Sequence, residues 1–460
     1  MRSVMLSVCI LALLAWTGAA LAAGSPDIYF TNAGGDGLWS NANNWDPSDE
    51  APPDDPEDDN AWVGGGLTAV VENYTTTPKR LCPGADPAWY TDNGVGDGTG
   101  NGTVIIGQGG VVDLTLGGAQ FAYIGCRFGP NAKGTLILRD NGCLETCGFA
   151  VGSFVDHAEG LLEMHDNAVI NATSVGICGI GVISGENYKD ATATVIQDGG
   201  TINLRSGSDG DPSDLYIGST NWVGGLEDCT GLYQISGGTL NLYNEPGLTK
   251  GAVIQIGPSP TSFVVNKNVK GTLHVIGAWD PGVDNIKAHA LKMYVDDREE
   301  GNEANLIFDI DSSGIEKITL TTSALFDGTL KVNDAGAAPG TYTLVTYSSA
   351  SGEFDTVDLP CGWGNADIGD TALTVKKAIP GDANWDDSVD VGDLGILASN
   401  YGGTGKTWDE GDFTCDGNVD VADLGILSSH YGEGSGAVPE PATLVLLGIG
   451  GLALLRRRRG

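Results

Sequence analysis

Asp198-Gly-Gly-Thr-Ile-Asn-Leu204 and, 38 residues on, Ser236-Gly-Gly-Thr-Leu-Asn-Leu242 are two copies of one short phrase. Upstream it reads Gln108-Gly-Gly-Val-Val-Asp-Leu114, Asp140-Asn-Gly-Cys-Leu-Glu-Thr146 and Asp166-Asn-Ala-Val-Ile-Asn-Ala172, with starts 32, 26, 32 and 38 residues apart across the five. Asn-Gly and Gly-Gly supply the positive φ of a tight corner. The fifth position is always apolar (Val112, Leu144, Ile170, Ile202, Leu240) and the sixth always polar (Asp113, Glu145, Asn171, Asn203, Asn241). A strand therefore leaves each corner with one face inward. The sixth-position amides stack as a ladder that needs no ligand.

Two more landmarks recur. Ile124-Gly125, Val151-Gly152, Val175-Gly176, Ile217-Gly218 and Ile256-Gly257 follow the corners, and strands such as Gly134-Thr-Leu-Ile-Leu138 precede them. Several short strands per repeat, none able to bury its apolar face alone, predict a mainly β chain built as a parallel β-solenoid (β-helix) over 67–300. A β-sandwich or jelly roll is the competing architecture. The variable spacing between corner and Ile-Gly gathers insertions on one side, and a ligand would sit near Arg205–Asp214 or Tyr243–Lys250. The 23–66 segment carries Trp39-Ser-Asn-Ala-Asn-Asn-Trp45, which resembles the opening motif of many secreted bacterial β-solenoid proteins; the two rings read as a cap on the first coil rather than a sugar platform. Asp46–Asn60 is acidic and proline-rich, a solvated loop or weak calcium site. Residues 301–378 alternate as conventional strands and are expected to form a C-terminal β cap.

The ends fix the compartment. Arg2, the apolar run Val4–Leu14 and Ala20-Leu21-Ala22 form a secretory signal peptide over 1–22. Near the other end Pro439-Glu440-Pro441, an apolar run Leu444–Leu455 and Arg456–Arg459 follow in order. The run is short for a bilayer span, and the arginines mark a cytoplasmic stop. Residues 437–460 thus resemble the PEP-CTERM sorting signal of Gram-negative and planctomycete-like bacteria. The resemblance implies an exosortase-type processing enzyme as partner and transient membrane association through the C-terminal helix. The chain is expected to be secreted, extracellular or at the cell surface. Sixty acidic residues against 23 basic ones give a net charge of −37. Such a surface repels nucleic acid and attracts divalent cations. Beyond the signal peptide stand eight cysteines (82, 126, 143, 147, 178, 229, 361, 415), an even number that permits disulfides in an exported chain. Their pairing is not readable, and no Cys-x-x-Cys pair of the zinc-site kind is present.

A new unit begins at Pro380. Asp382-Ala-Asn-Trp-Asp-Asp-Ser-Val-Asp-Val-Gly-Asp393 recurs 30 residues later as Asp412-Phe-Thr-Cys-Asp-Gly-Asn-Val-Asp-Val-Ala-Asp423. An EF-hand loop takes oxygen ligands from positions 1, 3, 5, 7 (by its carbonyl), 9 and 12. Loop one offers Asp382, Asn384, Asp386, Ser388, Asp390 and Asp393; loop two offers Asp412, Thr414, Asp416, Asn418, Asp420 and Asp423. Hard oxygens in this spacing suit two Ca²⁺ ions better than Mg²⁺. Each loop runs into the same helix, Leu394–Gly402 and Leu424–Gly432. Residues 380–433 resemble a type I dockerin, which implies an α-helical, paired EF-hand-like domain, calcium-dependent folding and a cohesin-like docking partner. Three departures stand out: Asp387 replaces the usual glycine at position 6 of loop one, Thr414 is a weak ligand, and positions 10 and 11 are Val391-Gly392 and Val421-Ala422 instead of Ser-Thr.

Catalysis has no visible constellation. The five histidines (157, 165, 274, 289, 430) are scattered, the basic residues sparse, and Asp296-Asp297 reads as a surface pair. The sequence favours a non-catalytic calcium-binding protein of the envelope or extracellular matrix. The alternative is a polysaccharide-binding or polysaccharide-degrading (lyase or hydrolase) β-helix protein with an extracellular polysaccharide as partner.

Overall fold

The computed structural model describes residues 27–46, 53, 60–78, 80–83, 101–115, 121–125, 132–152, 157–173, 178–180, 188–206, 214–218, 226–244, 251–258, 266–280 and 282–434. The chain is mainly β, and its strands pair in parallel with the copy one repeat before and one repeat after. Lys133–Leu138 lies between Asn101–Gly107 and Glu159–Met164, which aligns Val104, Leu136 and Leu162. Val195, Tyr233, Leu273, Leu306 and Leu330 continue this buried column. The fifth-position residues Val112, Leu144, Ile170, Ile202 and Leu240 make a second column, which Ile286, Ile318 and Val345 continue, all at most 1% exposed. The described strands form sheets of 12 and 19 strands, with one small pair besides. Along strands such as Lys133–Leu138, Glu159–Met164 and Lys270–Ile276, buried side chains alternate with more exposed ones, the period-2 pattern of a sheet with one face on the core.

The corners show why the repeat has its letters. Gln108, Asp140 and Asp166 have φ of 48°, 54° and 54°. In the next two copies the positive φ moves to Gly200 and Gly238, and single strands, Thr192–Ser206 and Thr230–Asn244, run through the corner with a register shift near Asp198. The Ile-Gly landmark has a stricter cause. Gly125, Gly152, Gly218 and Gly257 all have positive φ, and a Cβ at these sites would lie 1.9–2.3 Å from the carbonyl oxygens of Glu159, Thr192, Lys270 and Tyr294. Only glycine lets the stacked backbones approach so closely.

At the start of the stack, Asp27–Phe30 pairs in parallel with Asn60–Val63 and antiparallel with Trp45–Asp46. Trp39 and Trp45 are buried in the core and packed edge to face, ring centroids 4.6 Å apart. Each indole N–H is satisfied, Trp39 by Thr76 Oγ1 and Trp45 by the Trp39 carbonyl. At the other end, the expected break at 300 does not coincide with any change of pairing. Glu303–Asp311, Thr329–Ala335 and Thr356–Asp358 extend the same parallel ladder. Beyond residue 300, Gly340–Thr346 and Asp367–Ile368 pair antiparallel with Ala372–Lys377. The strands after 300 keep the alternation but lose the Gly-Gly corner, so the repeat is invisible there in the sequence.

The chain then turns helical. Helix α1, Val391–Asn400, and helix α2, Val421–His430, begin three residues before the expected Leu394 and Leu424. Asp390 and Asp420 cap them, each completing a capping box with the aspartate three residues on. Ala383, Val389, Leu397, Phe413, Val419 and Leu427 form a small core of their own.

Candidate functional site

The two acidic loops share one hydrogen-bond frame at positions 1, 5, 9 and 12 and differ at position 3. At position 12, Asp393 Oδ1 accepts from the amides of Ala383 and Asn384 (2.8 and 3.2 Å); Asp423 Oδ1 accepts from Phe413 and Thr414 (2.8 and 3.0 Å). Their Oδ2 atoms accept from Asp390 and Asp420 at 2.8 Å. At position 1, Asp382 Oδ2 accepts from Asp387 at 3.0 Å and Asp412 Oδ2 from Gly417 at 2.8 Å. Asp386 and Asp416 accept from Ser388 and Asn418, and Asp390 and Asp420 from Gly392 and Ala422. Asn384 Nδ2 donates to Asp386, and the Thr414 hydroxyl to Asp412. Position 6 has positive φ in both loops, 65° at Asp387 and 83° at Gly417; the aspartate adopts the turn glycine adopts freely. Each loop is tied to the chain just after the other loop's helix: Val419 exchanges backbone hydrogen bonds with Gly402 and Gly403, and Val389 with Gly432 and Glu433.

Acidic residues crowd these two loops. Asp382, Asp393, Asp412 and Asp423 are at most 1% exposed. Burial, with the nearby Asp393 charge, pushes the Asp382 carboxyl above its ordinary range. Among the described residues, the lysine ion pair to these loops, Lys376 to Asp387 at 2.9 Å, lies at an exposed carboxylate. Among the described residues no three His, Cys, Asp or Glu side chains converge closely enough to hold a metal ion as they stand. The donor types and spacing fit a hard cation; the present side-chain arrangement does not close a cage around one.

Elsewhere titratable groups are dispersed. Each histidine has its own neighbour: His157 with Asp190, His165 with Asp198, His274 with Asp309, His289 with Thr321, and His430 with Glu433. Asp296, expected at the surface, is fully buried. Burial alone would raise its pKa, but the Arg298 guanidinium, at 2.6 Å to both carboxylate oxygens, holds it below the ordinary range. Asn302 closes this network on the backbone of Asn266 and Asp296. The sixth-position side chains do form the ladder: Asn241 donates to Asn203, Asn203 to Asn171, and Asn171 to Glu145, at 3.1, 2.8 and 2.6 Å. Most of Arg205–Asp214 and Tyr243–Lys250, most of Asp46–Asn60, the signal peptide, and Pro439, Glu440 and Pro441 with the apolar run after them lie outside the described residues.

Sequence reasoning left the cysteines open, and the structure pairs two: Cys361 to Cys415, 54 residues apart. Cys415 is position 4 of loop two. The signal that could have pointed to the pair is Cys361-Gly-Trp-Gly364, a dense small-and-aromatic run just before the acidic unit.

Comparison with known proteins matches residues 437–459 to the PEP-CTERM protein-sorting motif. The match marks an extracellular or surface-sorted chain and makes an exosortase its processing partner. No curated protein and no solved structure matches the chain. Among the described residues no helix is long and apolar enough to cross a membrane.

Proposed function

We propose that this is a non-catalytic protein of the cell surface or extracellular matrix, a parallel β-solenoid shaft ending in a dockerin-like module that takes two Ca²⁺ ions. The single observation that carries the reading is the duplicated loop: the same hydrogen-bond frame is built twice around buried aspartates at positions 1 and 12. Asp382, Asn384, Asp386, Ser388, Asp390 and Asp393 would hold one ion, and Asp412, Thr414, Asp416, Asn418, Asp420 and Asp423 the other. A bound cation supplies the positive charge these buried carboxylates lack, and so stabilises the folded unit. The residues of the chain do the rest: backbone amides orient the carboxylates at positions 1, 5, 9 and 12 in both loops. Val391 and Val421, 70% and 69% exposed, are the groups a cohesin-like partner would meet. Calorimetry of the mature chain tests the reading: two calcium equivalents, one after Asp382→Ala or Asp412→Ala, none after both. No calcium heat at millimolar concentration overturns it.

A further inference from the structure

We infer that Cys361–Gly364 is an intramolecular seat for both acidic loops, and that its disulfide makes the seating of the helical unit depend on oxidation. Three contacts converge on these four residues. Cys361 is bonded to Cys415. A Cβ on Gly362 would meet the Trp408 ring at 2.9 Å, and one on Gly364 the Trp385 ring at 3.1 Å, so each glycine lies under an indole. Trp363, between them, is buried in the β core and donates to Asp334. It holds the seat to the stack.

Both loops are anchored at the same place. Trp385 is position 4 of loop one and Cys415 position 4 of loop two, and both have positive φ, 63° and 56°. Lys376 adds a hydrogen bond to the Trp385 carbonyl and an ion pair to Asp387. The Trp408 indole donates to the carbonyl of Asp382, position 1 of loop one. The loop-two half of the seating is covalent, whereas the loop-one half is non-covalent: packing, a hydrogen bond and one ion pair. Both cysteines are exposed, which makes the bond reachable by thiols. Its formation takes two electrons and two protons from the thiols to a disulfide oxidant, which leaves as a dithiol. The seat therefore closes fully only after export to an oxidising compartment.

The test uses the mature chain in chelator, with and without dithiothreitol, and reads the rate of tryptic cleavage after Lys406, between the loops. Circular dichroism in parallel confirms that the strands persist. We expect cleavage at least about tenfold faster in the reduced protein, and the same acceleration without reductant in Cys361→Ser/Cys415→Ser. Gly364→Leu, which wedges the Trp385 ring, should accelerate cleavage with the disulfide intact. Equal rates for oxidised, reduced and double-variant protein overturn the inference. So does acceleration by reductant that the double variant fails to reproduce, since other cysteines would then be responsible. A parallel arm in excess calcium instead of chelator rests on the preceding reading: if calcium slows no cleavage while reduction still speeds it, the metal reading falls and the seat stands.

Discussion

The Ile-Gly landmark permits a sharp test, because two glycines share a backbone conformation and differ in surroundings. Gly218 has φ of 56°, and a Cβ there would lie 2.2 Å from the Lys270 oxygen and 2.5 Å from Gly271 Cα. Gly66 has φ of 74° and nothing within 4 Å of its added Cβ. Alanine at either site adopts a left-handed conformation, which costs about 1–2 kcal/mol. At Gly218 the next strand must also move by roughly 1 Å, and overpacking of this kind adds about 1–3 kcal/mol. Gly218→Ala should therefore destabilise the stack by about 2–5 kcal/mol and Gly66→Ala by about 1–2. Urea unfolding followed by far-UV circular dichroism gives the midpoints. Hydrogen exchange of Leu215–Ile217 and Lys270–Ile276 reports the local effect, since stacked repeats open in part. Equal midpoints and equal exchange in the two variants would refute the reasoning that backbone approach, rather than φ alone, demands these glycines.

Ile170→Asp or Ile202→Asp places a charge in the fifth-position column, and either should unfold the stack; an unchanged melting temperature would contradict the register. Asn203→Ala removes two links of the amide ladder and should cost about 1–2 kcal/mol, read from the same urea curves. The Cys361–Cys415 bond closes a 54-residue loop, for which chain entropy gives about 4 kcal/mol; thermal unfolding with and without reductant measures how much is realised. Asp296 has a folded pKa below its ordinary 3.8, so its stabilisation is present above that value and lost as pH falls through the folded pKa. Asp296→Asn should flatten the acid limb of the stability curve below pH 3.8 and leave its shape unchanged at neutrality. Intact mass of the surface form from the native host should lack Arg456–Arg459, and its retention would count against processing of the tail.

What the letters revealed follows from how each feature is encoded. The Gly-Gly corner, the fifth-position column and the Ile-Gly landmark each demand a particular residue type at a particular step, so they recur legibly. Another corner did not. His157, Asp190, Asp228 and Asn268 occupy successive repeats with φ of 52–56°, but they share only a conformation and not an identity. They precede Ala158, Ala191, Cys229 and Val269, a buried cluster of their own, whose common trait is small size. The ladder beyond residue 300 was hidden because its inward residues continue the columns while its corners change. Asp296 was misplaced because one carboxylate letter does not disclose an Arg298 two residues away folding back on it. The acidic loops were legible because their acidic and polar residues fall at alternate positions and recur 30 residues later. Their anchorage was not, since it depends on Cys361–Gly364, a contact distant in sequence.

The parallel register also separates chain length from reach. Consecutive repeats of 26, 32 and 38 residues each advance the stack by one strand spacing, about 4.8 Å. From Val104 to Leu330 the column takes seven such steps, roughly 34 Å for more than two hundred residues. A flexible linker of that length would wander over about 80 Å with no fixed end. Residues added to a repeat widen the protein sideways, and only a whole additional repeat carries the helical unit farther from the Trp39–Trp45 end.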